Sequence, residues 1–184
     1  MTTPSPLSIC VYCGSRNGDD PAYTAAAKAL GQGIAQRGMR LVYGAGDVGL
    51  MGEVARTAQE AGADVFGVIP EHLRQWEVGK SDLTSFVVTE TMHERKKVMF
   101  MNSDVVVVLP GGAGSLDEFF EVLTWAQLKL HKKPIWILNI GSYWDPLVAL
   151  IDHVIDRGFA DASLRDFYKV SDSVESLFND LVPK

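Results

Sequence analysis

Short apolar runs rich in β-branched residues alternate along this chain with longer stretches whose apolar positions recur at helical spacing. The apolar runs predict strands over residues 7–13, 41–43, 64–69, 86–88, 105–109 and 135–138. The intervening patterns predict helices over 22–37, 50–61, 92–103, 115–130, 146–157 and 174–181, with Gly38 and Gly62 placed to stop two of them. Segment 71–80 is polar and irregular. The run at 105–109 is apolar without alternation, as expected of a central parallel strand covered on both faces. The strand–helix order predicts an α/β fold: a Rossmann-like open parallel sheet with helices on both faces. Ligands on such sheets sit beyond the carboxyl ends of the strands, so the loops after Cys13, Tyr43, Ile69 and Leu109 matter most.

Length and charge narrow the function. The 184 residues fit one domain over 7–184 behind a disordered tail over 1–6. The net charge of −6 argues against nucleic acid or a membrane surface as partner, since both are anionic. No apolar run approaches the ~20 residues of a membrane span. The N-terminus lacks the pattern of a signal peptide, which points to the cytoplasm. Cys10 and Cys13 lie three apart on a predicted strand, hence on opposite faces, and read as core residues rather than as a metal or redox pair.

Three loops can carry chemistry. Pro110-Gly-Gly-Ala-Gly-Ser-Leu-Asp-Glu118 joins a buried strand to a long helix, and the amides from Gly112 to Ser115 can cradle a phosphate. Ser115 and Glu118 also have the spacing of a capping box, a purely structural role of equal weight. Asp117 and Glu118 oppose an anion unless they point away, which suggests a bipolar ligand: phosphate at the amides, a developing cation beside a carboxylate. Gly44-Ala-Gly46-Asp-Val-Gly49 matches the dinucleotide pattern formally, but it follows the second strand and lacks a well-placed acidic residue ~20 positions on. Arg95-Lys-Lys97 near a helix start conflicts with the helix dipole, which a bound anion would relieve; a solvated basic patch is the plain alternative. A carboxylate near a sugar's anomeric carbon can stabilise an oxocarbenium-like transition state and activate water. From the residues alone, the reading is a nucleotide or sugar-phosphate site.

Cys13-Gly-Ser15, the block from Tyr43 to Gly52, Met92-His-Glu-Arg-Lys96 and Pro110–Glu118 together resemble the signature blocks of the LOG ("lonely guy") family of cytokinin riboside 5'-monophosphate phosphoribohydrolases. The resemblance covers about Leu7 to Gly158. It implies a Rossmann-like homodimer that hydrolyses the N-glycosidic bond of AMP and N6-modified AMP without metal or organic cofactor. It implies Arg95 and Glu118 as the catalytic pair. Substrate contacts would fall on Glu77, Lys96, Gly112, Ala113, Gly114, Ser115, Leu116, Asp117 and Thr124. Ser115 replaces a usual threonine and keeps the hydroxyl, while Ala45 stands where glycine is common and would be strained at positive φ. The label lysine decarboxylase, also carried by members, finds no support, since no lysine stands out for a Schiff base. Apolar residues on helices 92–101 and 119–130 exceed what one domain buries, which independently suggests a symmetric homodimer. A nucleotide-binding sensor or carrier without turnover is the runner-up; an oxidoreductase rests only on the weak glycine pattern.

Overall fold

A computed structural model describes residues 6–74 and 85–181. The expected tail, apart from Pro6, and Glu77 lie outside the described residues.

The chain runs β1 (Ser8–Tyr12), α1 (Pro21–Gln36), β2 (Arg40–Tyr43), α2 (Gly49–Glu60), β3 (Asp64–Pro70), α3 (Glu71–Arg74), β4 (Ser85–Thr89), α4 (Met92–Met101), β5 (Val105–Val108), α5 (Ala113–Gln127), β6 (Ile135–Leu138), α6 (Asp145–Asp156), β7 (Lys169–Ser171) and α7 (Val174–Leu181). The seven strands form one sheet in the order β4-β3-β2-β1-β5-β6-β7, and every pairing is parallel. The Rossmann-like α/β architecture expected from the alternation is therefore present.

β1 and β5 are buried at every position and lie side by side at the centre. Period-two alternation sorts their side chains between two cores. Ile9, Val11 and Cys13 join Leu30, Ile34, Val54 and Phe178 under α1, α2 and α7. Cys10 and Tyr12 join Met99, Phe119, Leu123 and Ile151 under α4, α5 and α6. The two thiols thus face opposite sides of the sheet, as their spacing requires, and burial pushes both their pKa values up.

Several boundaries differ from expectation. The sequence places α5 at 115–130 with Ser115 as N-cap, but Gly112 is the N-cap and Ser115 lies inside the first turn. The Ser115–Glu118 capping box therefore does not form, because glycines let the chain enter the helix earlier. At the other end α5 closes by a Schellman arrangement, with Lys129 N–H donating to Ala126 O and Leu130 N–H to Trp125 O, both at 2.9 Å. Lys129 takes the left-handed position at φ 61, where glycine is usual. Segment 71–80 opens with a single helical turn, α3, and β7 was too short to register as an apolar run.

Candidate active site

The strand order reverses between β1 and β5, so the loops leaving these strands diverge and open a crevice, the expected ligand position in this architecture. The two loops are tied at its floor: Gly14 N–H donates to Pro110 O at 3.0 Å. A cleft of about 270 Å³ lies there, lined by Cys13–Ser15, Met51, Met92, Arg95, Gly112–Ser115, Asp117 and Glu118. The start of α5 forms one wall. No side chain caps that helix, so its first amides are open to a ligand, and Gly112, Ala113 and Gly114 are exposed.

Arg95 comes from α4, which begins with a capping box. Thr91 Oγ1 accepts from Glu94 N–H at 3.2 Å, and Glu94 Oε2 accepts from Thr91 N–H at 3.2 Å. Glu94 also places a negative charge in the first turn, which answers the dipole conflict of the basic run. Arg95 is only 6% exposed. Its Nη2 donates to Gly44 O at 2.8 Å and its Nε to Val68 O at 3.2 Å. Two carbonyls from the ends of β2 and β3 thus hold the fork, Nη1 donates to Met92 Sδ at 3.8 Å, and the side chain lines the cleft with N–H groups to spare.

The loop from Gly44 to Gly49 serves this arrangement. A Cβ on Gly44 would collide with the Arg95 guanidinium, and one on Gly49, at φ 62, with the backbone of Ser15 and Arg16. The glycine pattern is thus explained by the seating of Arg95 and the packing of the β1 loop, not by a pyrophosphate. Ala45 is fully buried at φ 58, the strained geometry anticipated for a residue where glycine is common.

Lys96 is neither a solvated patch nor a free cation. Its Nζ pairs with Asp117 at 2.9 Å and Glu121 at 3.2 Å, tying α4 to α5. Burial pulls its pKa down, but the hydrogen bonds to Asp117 and Glu121 outweigh this and hold it above the ordinary lysine value. Of the three cations, only Lys97 is exposed.

Lys96 also engages Asp117, which leaves Glu118 as the carboxylate without a partner: it makes no ion pair or side-chain hydrogen bond among the described residues. Burial raises its pKa to about 7; the charge of Arg95 opposes the shift and that of Asp117 adds to it. Near neutral pH this group can therefore exchange a proton. Cys13, with its thiol pKa raised by burial, is wall rather than nucleophile.

The structure brings together Arg95, Glu118, Asp117 and Gly112–Ser115. Leu116 turns into the core under α5 instead, and Thr124 is exposed further along that helix, outside the cleft lining. Met51 and Met92, which wall the cleft, stood inside motif blocks but carried no polar signal to mark them.

The chain matches the family described as "Possible lysine decarboxylase" over residues 51–181. It is 41% identical over 174 residues to a "Probable cytokinin riboside 5'-monophosphate phosphoribohydrolase" of Oryza sativa subsp. japonica, covering 95% of this chain and 76% of the relative. A cytokinin riboside 5'-monophosphate phosphoribohydrolase of Arabidopsis thaliana is 39% identical over 173 residues, covering 94% and 76%. Among solved structures, a molybdenum cofactor binding protein from Rippkaea orientalis superposes with a TM-score of 0.74 over 97% of both chains at 24% identity, a likeness of fold alone. Since the sequence likeness runs nearly end to end and includes the blocks that line the cleft, the chain belongs to the LOG family.

Proposed function

We propose that this protein hydrolyses the N-glycosidic bond of AMP and of N6-modified AMP, giving the free base and ribose 5-phosphate. The carrying observation is Glu118: a carboxylate without a partner among the described residues, its pKa raised by burial to about 7, beside an uncapped helix start and a buried arginine. The amides at Gly112–Ser115 hold the 5'-phosphate, with the spare N–H groups of Arg95 orienting the nucleotide. The bond from C1' to the base nitrogen breaks and its electron pair leaves with the base. Glu118 stabilises the oxocarbenium-like centre and takes a proton from the water that adds at C1', while the departing base gains a proton. Lys96 acts through Asp117, offsetting its negative charge beside the phosphate. Thr124, exposed further along α5, lies outside the cleft lining. No lysine lines the cleft among the described residues, and Lys96, next to Arg95 on α4, is doubly ion-paired with a raised pKa, the reverse of a Schiff-base lysine.

The test is incubation with AMP and chromatography for adenine, with adenosine alongside. Adenine from AMP, and little from adenosine, is the expected result. Equal turnover of both removes the phosphate site from the reading. AMP binding without any adenine would make the protein a nucleotide carrier.

A further inference from the structure

The loop between β6 and α6 delivers Tyr143 onto the glycine loop from the side opposite β1. Tyr143 Oη donates to the carbonyl of Gly111 at 2.6 Å, across 32 residues of sequence. The loop gets there through left-handed backbone at Gly141 and at the exposed Ser142, φ 58 and 60, of which only the serine is strained. That loop is otherwise firmly anchored. Asn139 N–H donates to Ser171 O at 2.7 Å, and Asn139 Oδ1 accepts from Trp144 N–H at 2.6 Å. The ring of Tyr143 rests edge-on against Tyr23, 5.4 Å between centroids. A strained non-glycine residue on a rigid loop calls for an explanation at the point the loop reaches.

The point it reaches is the peptide between Gly111 and Gly112. With glycine on both sides, this peptide is the easiest in the loop to flip. It is trans, so its N–H points opposite to its carbonyl. Fixing the Gly111 carbonyl toward Tyr143 therefore fixes the Gly112 N–H away from it. A flipped peptide would present a carbonyl oxygen in place of a donor. The preceding peptide is pinned too, through Pro110 O and Gly14 N–H.

We propose that Tyr143 is a positioning residue that sets phosphate affinity by locking the Gly111–Gly112 peptide in its donor-forward orientation. The proposal rests on the reading of this loop as the phosphate cradle. It concerns substrate affinity and leaves the chemical step to Glu118.

The experiment compares wild type, Tyr143→Phe and Ser142→Gly. Binding of ribose 5-phosphate is measured by calorimetry, adenine release from AMP and from adenosine by chromatography, and folding by thermal melts. Tyr143→Phe should bind ribose 5-phosphate about tenfold more weakly and raise KM for AMP by a similar factor, the scale of one lost hydrogen bond that oriented others. Its kcat for AMP and its kcat/KM for adenosine should stay within about twofold. Ser142→Gly keeps the hydroxyl and loses the strain, so it should melt higher and bind ribose 5-phosphate as wild type does. Unchanged affinity in Tyr143→Phe overturns the proposal. So does an equal loss on both substrates, or loss of cooperative melting, either of which assigns the tyrosine to the fold. No binding of ribose 5-phosphate by wild type overturns it as well. A wild type that binds ribose 5-phosphate but releases no adenine defeats the hydrolase reading only, and the binding comparison still decides the role of Tyr143.

Discussion

Arg95 and Gly44 occupy one another's space: a Cβ on Gly44 would stand 2.9 Å from Arg95 Cζ and closer still to Nη2. Gly44 has no left-handed φ, so an alanine there meets no backbone objection. Gly44→Ala should therefore displace the guanidinium while leaving the fold intact, lowering kcat/KM on AMP by about 10²–10³-fold, the scale of one lost preorganised donor. Arg95→Lys should fail to restore activity, since a single ammonium cannot span the Gly44 and Val68 carbonyls. The double variant Gly44→Ala/Arg95→Ala should be no worse than Arg95→Ala alone. Additive losses in that cycle would show that Gly44 serves something other than Arg95.

Glu118→Gln separates chemistry from structure cleanly, because Glu118 caps nothing. Turnover should drop about 10²–10⁴-fold while AMP still binds. As the proposed base, Glu118 works in its ionised form, so kcat/KM should rise with pH and level off above its pKa of about 7. A profile that instead falls through pH 7 would make Glu118 the proton donor.

The same shift has a stability consequence of opposite sign. The folded pKa of Glu118, about 7, lies above its ordinary 4.5, so between these values the native state holds the proton more tightly than the unfolded chain. The stabilising contribution is complete below the lower value and is lost as pH rises through the upper one. Wild type and Glu118→Gln should thus differ little at pH 4. At pH 8 the variant should be more stable by on the order of 1–3 kcal/mol. Denaturant melts of both proteins at the two pH values check this, and equal stability at pH 8 would contradict a desolvated carboxylate.

Two strained residues should respond differently to glycine. Lys129 is exposed at the left-handed end of α5, so Lys129→Gly should stabilise by about 1 kcal/mol. Ala45 has similar strain but its methyl is fully buried. Relief of roughly 1–2 kcal/mol is offset there by a lost methyl and added chain entropy, each roughly 0.5–1 kcal/mol, so Ala45→Gly should be nearly neutral. Thermal melts distinguish the pair.

Assembly follows from the far ends of α4 and α5. Phe100 lies edge-on to Trp125 and His131, 5.1 and 4.8 Å between centroids, which brings the two helix ends together. Met101, Leu128 and Leu130 project from these ends 67%, 63% and 69% exposed. We expect this face to pair two copies in a symmetric homodimer. Light scattering should give twice the chain mass for wild type and the chain mass for Met101→Glu/Leu128→Glu. A wild-type monomer at micromolar concentration would refute it.

Much of this architecture was legible in sequence because a parallel sheet writes its centre as unbroken apolar runs, as in Val105–Val108, and its helices as spaced ones. What escaped was set by tertiary contact. β7 is held by pairing with β6, not by its own pattern. The start of α5 was misplaced because Ser115 and Glu118 carry the residue types of a cap, whereas the glycines before them let the helix begin sooner. The Thr91–Glu94 box is written in the same code, at the head of the basic run. The candidate site was visible as motif blocks, but who pairs with whom was not. That Lys96 is consumed by Asp117 and Glu121, and that Tyr143 reaches Gly111, depends on residues that meet only in space.

The central position of β1 also shapes how the chain must acquire its fold. Ile9 finds its β2 neighbour at Leu41, soon after synthesis, but its other neighbour, Val105, arrives only after the first four strands have been made. A sheet completed through such distant pairings closes slowly, since chain entropy is spent before the contacts repay it. The floor of the cleft, Gly14 to Pro110, belongs to that late seam. A partly folded chain holding only β1 to β4 would have a sheet and a core but nowhere to grip a phosphate, so the recovery of ligand binding during refolding should coincide with the last step and not with the first collapse.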